Sequence, residues 1–192
     1  MEIVAVIFGV FTVWLNKLEN IWGFPLGMIN TILYVVICFN SSLFGESAVN
    51  LYYTLVAMYG WYLWSKKKGN TYSLQISSSS GKDWLKQIIF FLISYSLLVL
   101  ALHYLKDKFY PNSLPYLDGL ASASAFTAMW LLAKKKLENW LWWILTNICS
   151  IMLFLYKGLW ITSIQFLIYL VIAVWSYIDW HKKVKILNKH KQ

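Results

Sequence analysis

The run WWILTNICS (142–150) places Asn147 four residues after Trp143, one helical turn away on the same face, in otherwise apolar surroundings. An indole beside a carboxamide can hold a flat, polar ring. Where that ring is cationic, the negative face of the indole adds roughly 0.5–2 kcal/mol, depending on desolvation. Three further carboxamides, Asn30, Asn50 and Gln165, are set in apolar runs in the same way. Together the four supply donors and acceptors without formal charge, which suits hydroxyls and amides rather than a bare ion. Asp118 is placed either to counter a cationic ligand at the mouth of a cavity or to cap its helix. Each amide has a plainer role open to it as hydrogen-bonding glue between helices.

The need for an explanation comes from the solvent. With 59% apolar, 19% aromatic and 13% charged residues and a mean hydropathy of +0.55, this is a chain dissolved in lipid, an integral membrane protein. An amide at that depth must find a partner or a water-filled cavity, because an unpaired one costs several kcal/mol. Many of the 12 Trp and 13 Tyr serve as interfacial belts, and Trp22, Trp61, Trp64, Trp160, Trp175 and Trp180, near helix ends, are assigned to them. Cys38 and Cys149 fall within apolar helices, where a thiol behaves as a small apolar group. His103, His181 and His190 are too scattered for a ligand set, so neither a metal nor another cofactor is called for. No nucleophile–base pair lies at depth, which argues against an enzyme.

Seven elements can position these residues, near 3–16, 22–39, 47–64, 84–105, 117–133, 139–156 and 159–180. The first lacks a charged leader and a small-residue cleavage site and is read as a helix of the protein. The stretch 65–83, rich in Ser and Lys, reads as a linker. All 17 basic residues are Lys, and seven crossings sort them sharply. One side has only Lys106, Lys108 and Lys157; the other collects Lys17, the clusters 66–68 and 134–136, Lys82, Lys86 and the five between 182 and 191. The positive-inside rule then puts the C-terminus in the cytoplasm and the N-terminus outside. The net charge of +9 is accounted for as topology, and nucleic acid is not an expected partner. Glu19 and Glu138, beside lysines at the inner surface, read as solvated.

An internal repeat organises the helices. LENIWGFPLGMINTILYVVICF (18–39) lies against LENWLWWILTNICSIMLFLY (137–156), pairing Asn30 with Asn147, and YGWYLWSKKK (59–68) against WSYIDWHKK (175–183), pairing Trp64 with Trp180. Asn50 and Gln165 precede those tryptophans by fourteen and fifteen residues. The domains follow: a first three-helix repeat at 1–64, a linker with joining helix four at 65–116, a second repeat at 117–180, and a basic cytoplasmic tail at 181–192. A single joining helix returns the second triplet in the orientation of the first, so the repeats are parallel and the paired amides are expected to face a shared cavity.

These stretches resemble the Pnu-type vitamin transporters, most closely the PnuC transporters of nicotinamide riboside, over nearly the whole chain. FPLGMIN (24–30), YGWYLWS (59–65) and above all LENWLWWILTN (137–147) carry the likeness. The last contains the W-x3-N motif associated in that family with riboside binding. The resemblance implies an all-α, seven-helix, three-plus-one-plus-three fold related to the SWEET sugar transporters. It implies facilitated diffusion of the riboside across a bacterial inner membrane, followed by trapping through a cytoplasmic kinase. Trp143 would stack on the nicotinamide ring and Asn147 would hydrogen-bond the ligand. Relatives carry Gln in helix three, where this chain has the shorter Asn50. Thiamine, carried by the sister PnuT group, is also a flat cation, and a substrate-capture subunit of a larger transporter is a further alternative. Homo-oligomerisation is compatible with the sequence.

Overall fold

In the computed structural model, which describes residues 2–40, 44–68, 71–72, 74–109 and 114–189, each of the seven apolar runs is a helix. They are α1 (Glu2–Lys17), α2 (Gly23–Asn40), α3 (Phe44–Ser65), α4 (Gly81–Phe109), α5 (Pro115–Ala133), α6 (Asn139–Tyr156) and α7 (Trp160–Lys189). Among the described residues the only sheet is a two-residue antiparallel ladder of β1 (Lys67–Lys68) and β2 (Thr71–Tyr72). Helices α2, α6, α7 and α4 as far as Tyr104 are long and apolar enough to cross a membrane. Of the rest, α1 has 16 residues, and α5 is built largely from Ala, Ser and Thr. Its Ala121, Ala123, Ser124, Ala125, Thr127 and Ala128 are all buried. The Ser124 and Thr127 hydroxyls donate to the carbonyls of Leu120 and Ala123, four residues back, so they need no outside partner. Small side chains let a neighbour come close: a Cβ on Gly119 would lie 2.7 Å from Cγ2 of Val99 on α4. The outer face of α4, by contrast, presents Ile89, Leu92, Ile93, Leu97 and Leu100 to lipid.

The chain divides into two compact units, Met1–Gln75 with Leu132–Lys135, and Ile76–Leu131 with Lys136–Gln192. In the first, α2 packs on both α1 and α3, and the edge of one aromatic ring closes the triplet: Phe24 and Trp64 meet at 4.8 Å with their planes at 90°. Gly60 makes room, since a Cβ there would fall 2.5 Å from the Phe24 ring. In the second unit α6 packs on α7, and Trp140 meets Trp180 at 5.5 Å and 88°. Phe24 and Trp140 are each the second residue of their helix, and Trp64 and Trp180 each the twenty-first. The same edge-to-face contact therefore recurs at equivalent positions of both triplets, which gives the internal repeat a physical meaning.

Helix ends repeat as well. At the end of α1, Glu19 (φ 58°) donates to the Asn16 carbonyl and Asn20 to that of Leu15, at 3.1 and 2.9 Å. At the end of α5, Lys135 (φ 50°) and Lys136 donate to Leu132 and Leu131 at 2.9 and 3.0 Å. Both are Schellman caps, with a side chain where glycine usually sits. The two left-handed residues bind each other, Lys135 Nζ lying 3.1 Å from Glu19 Oε2. The same ammonium lies 4.5 Å from the centre of the Trp64 ring, and Trp64 Nε1 donates to the Ala133 carbonyl at 3.2 Å.

Four expectations change here. Trp64 and Trp180 are 2% and 0% exposed, so they are core and not belt; Trp22, Trp61, Trp160 and Trp175 are exposed. Trp64 is taken inward because its indole N–H has a carbonyl to reach. Neither glutamate is simply solvated: Glu19 is ion-paired, and buried Glu138 accepts from Ser79 N at 2.8 Å and Ser79 Oγ at 2.6 Å. The last part of the serine-rich linker is correspondingly a docked strap. Ser77 accepts from Leu137 N at 3.0 Å, Ile76 is buried, and Ser80 with Asp83 forms a capping box on α4. Helix α7 also continues past 180 through Lys189, about 45 Å of helix, longer than the roughly 30 Å hydrocarbon layer; the remainder of the basic tail, 190–192 with His190, lies outside the described residues.

Trp180→Ala is expected to lower stability by on the order of 3 kcal/mol, while Trp160→Ala, at an exposed position, changes it little. Thermal unfolding of the two purified variants in one detergent checks this.

Candidate functional site

The site is built on the first half of α6, whose start is held from three sides within its unit. Glu138, just ahead of the helix, grips Ser79 of the strap. Trp140 packs edge-on against Trp180 of α7. Trp142 donates from Nε1 to Gln87 Oε1 on α4 at 3.2 Å, and its ring lies 4.8 Å from that of Phe91. Gln87 is fully buried and donates in turn to Ser79 Oγ at 2.7 Å. Residues 138, 140 and 142 thus share out strap, α7 and α4, and Trp143, about 100° round the helix from Trp142, points elsewhere.

Trp143 is half-buried, and among the described residues it has no hydrogen-bond or ring partner. Asn147, one turn on, is buried at 3% exposure, and its carboxamide likewise has no hydrogen-bond partner among the described residues. Its neighbour Thr146 is satisfied by the Ala121 carbonyl at 3.4 Å. A buried amide without a protein partner is costly, and here it stands beside an uncommitted indole on an otherwise fixed helix.

The register of the α6–α7 hairpin places the other residues. Trp140 opposes Trp180, and Phe154 stacks on Phe166 at 5.2 Å. Between these contacts Asn147 is level with Ala173 and Trp143 with Tyr177. Gln165 is eight residues from Ala173, so it lies about 12 Å from the level of Asn147 along the axis. Its Nε2 is committed to the Tyr169 hydroxyl at 2.7 Å. Trp143 and Asn147 are therefore brought together, and Gln165 is set apart from them.

In the first unit Asn30 is exposed and Asn50 half-buried. Between their helices the Thr54 hydroxyl lies 2.8 Å from that of Thr31 and 2.9 Å from the Asn50 carbonyl. The α2–α3 crossing at this depth is thereby pinned next to Asn30. Asp118 has both oxygens engaged: Oδ2 accepts from Leu114 N at 2.7 Å, and Oδ1 is 3.2 Å from Lys157 Nζ. With Pro115 opening α5, the carboxylate caps the N–H just ahead of the helix, which favours the capping role over a ligand contact. No group of three His, Cys, Asp or Glu able to hold a metal occurs among the described residues.

Sequence reasoning passed over Gln87 and Trp142. Gln87 carried a signal of the same kind as Asn147, an amide near the head of an apolar run.

The chain as a whole matches a known family. The profile of the nicotinamide mononucleotide transporters matches residues 1–182. The chain belongs to that family. It is a membrane transporter and not an enzyme. The chain is 26% identical to the nicotinamide riboside transporter PnuC of Escherichia coli K12 over 195 residues, covering 91% of this chain and 82% of that one. The PnuC of Haemophilus influenzae is 27% identical, covering 98% and 82%. The riboflavin/roseoflavin transporter RibM of Streptomyces davaonensis is 22% identical, covering 93% and 83%. The fold is similar to the crystal structure of the vitamin B3 transporter PnuC, with a TM-score of 0.70 and 26% identity over 95% of this chain and 80% of that one.

Asp118→Ala is expected to lower stability by about 1 kcal/mol, the usual value of a helix cap, with Asp118→Asn intermediate. Thermal unfolding in detergent reads both.

Proposed function

We propose that this transporter carries nicotinamide riboside by uniport across a bacterial inner membrane, with its N-terminus outside and its C-terminus in the cytoplasm. The observation that carries the reading is the pair on α6: the half-buried Trp143 and the buried Asn147, one turn apart, neither with a partner among the described residues. An indole face suits a pyridinium cation, and a carboxamide suits a substrate that itself bears an amide and hydroxyls. Asn30 and Asn50 are secondary candidates, and Gln165 one for the far end of an extended ligand. The family's name speaks of the mononucleotide and its relatives' names of the riboside; the physics favours the riboside. A phosphate would call for a bidentate Arg or a lysine cradle, and the sequence has no Arg. Riboflavin, which RibM's name records, is larger and uncharged and gains nothing from the indole quadrupole.

The helix centres, which carry no Asp, Glu or Lys to relay protons, support the uniport reading. A cytoplasmic kinase that phosphorylates the riboside would make entry irreversible, because the product lacks a route back through a site with no phosphate contact.

Asn147→Leu should abolish riboside binding while the protein remains folded; wild-type affinity, or a loss of stability with binding intact, would assign Asn147 to helix packing. In the series Trp143, Phe, Leu, affinity should fall by roughly 0.5–2 kcal/mol in all, with much smaller losses for a reduced, uncharged ring. Calorimetry at one ionic strength measures both.

In liposomes with the membrane potential clamped at zero, riboside should equilibrate without a proton or sodium gradient. Accumulation above the outside concentration driven by either gradient would sink the uniport reading.

A further inference from the structure

We infer that Gln87 of the joining helix is a positioning residue for the ligand site: through its hydrogen bond to Trp142 it fixes the rotation of α6 and so aims Trp143 and Asn147. The inference rests on the proposed role of Trp143 and Asn147, and it gives α4 and the strap a part in recognition.

The geometry carries it. Gln87 is fully buried and uses both ends of its carboxamide, Oε1 accepting from Trp142 Nε1 at 3.2 Å and Nε2 donating to Ser79 Oγ at 2.7 Å. Ser79 Oγ in turn donates to Glu138 Oε2 at 2.6 Å. The chain of bonds runs from α6 to α4, to the strap, and back to the residue that opens α6. It fastens α6 twice, at 138 and 142, on the side away from Trp143. A helix fixed at two points one turn apart is fixed in rotation as well as in place. Trp142 and Trp143 share one backbone, so turning the first off α4 turns the second, and Asn147 with it. Small rotations move a side-chain tip at 6 Å or so from the axis by ångströms, and a misplacement of about 1 Å is enough to spoil a stacked, hydrogen-bonded ligand pose.

Packing and positioning can be separated because the two partners can be replaced together. Gln87→Leu alone leaves the half-buried Trp142 indole N–H without its partner, and should lower both stability and affinity. In the double variant Gln87→Leu/Trp142→Phe nothing is left unpaired, since Ser79 keeps its bond to Glu138, and stability should recover towards wild type. Affinity for nicotinamide riboside should not recover, and should stay about fivefold to tenfold weaker than wild type, the value of one hydrogen bond. Calorimetry and thermal unfolding are run on wild type, both variants and Trp143→Leu. A double variant that binds as tightly as wild type, while Trp143→Leu binds poorly, overturns the positioning role and leaves the site reading intact. Wild-type affinity in Trp143→Leu overturns the site reading itself, and the inference with it.

Discussion

Hydrocarbon offers no hydrogen bonds, and every polar group carried into it must be answered from within the protein. That constraint orders most of what is seen here. Ser124, Thr127, Ser163 and Ser176 return their hydroxyls to carbonyls four residues back on their own helices. Trp64 finds the Ala133 carbonyl, Trp142 finds Gln87, and Glu138 finds the backbone and hydroxyl of Ser79. Against that background, Asn16 Oδ1, Asn139 Oδ1 and Trp140 Nε1 are enclosed without a partner, and Asn147, a buried residue, has no partner for its carboxamide among the described residues and stands beside an uncommitted indole. The Asn147 carboxamide in this position supports the proposed ligand contact.

The repeat uses one packing solution twice and then departs from it where the halves differ in task. Phe24 on Trp64 and Trp140 on Trp180 are the same contact between the second residue of one helix and the twenty-first of the next. Where the first copy has Gly60 below its ring, the second has the buried Ser176. The two glutamates of the repeated Leu-Glu-Asn motif take different partners: Glu19 an ammonium, Glu138 the serine of the strap. The second partner exists because the joining helix enters the second unit, and the serines before α4 supply donors that the first unit lacks.

On the proposed reading, the two adjacent tryptophans of α6 divide the labour of binding and support. Trp142 has both its ring and its N–H occupied by α4, which costs the ligand nothing and leaves Trp143 uncommitted. A stacking residue is effective only if it does not have to be organised at the moment of binding. Fixing its neighbour is an economical way to organise it.

Much of this was legible in the sequence, and the reason is that lipid imposes simple rules. Apolar run length determined seven helices, with ends within a few residues of those observed except in α7, which runs nine residues further, to Lys189. Trp143 and Asn147 could be singled out because an amide in an apolar run needs a reason and because helical spacing places the pair on one face. The Trp64–Trp180 correspondence was visible too. What lay beyond the sequence was partnership. Nothing in the residue string distinguishes the buried Trp64 and Trp180 from the exposed Trp61 and Trp175 a turn away, because burial depends on which neighbour arrives. Nor could spacing show that Gln165 is taken by Tyr169 and lies about two turns from Asn147, since that follows from the register of the α6–α7 hairpin. The strap was misread for the same reason. Serines and lysines are soluble on their own, and only the α5–α6 turn, with Leu137 N and the buried Glu138 carboxylate, gives them something to bind.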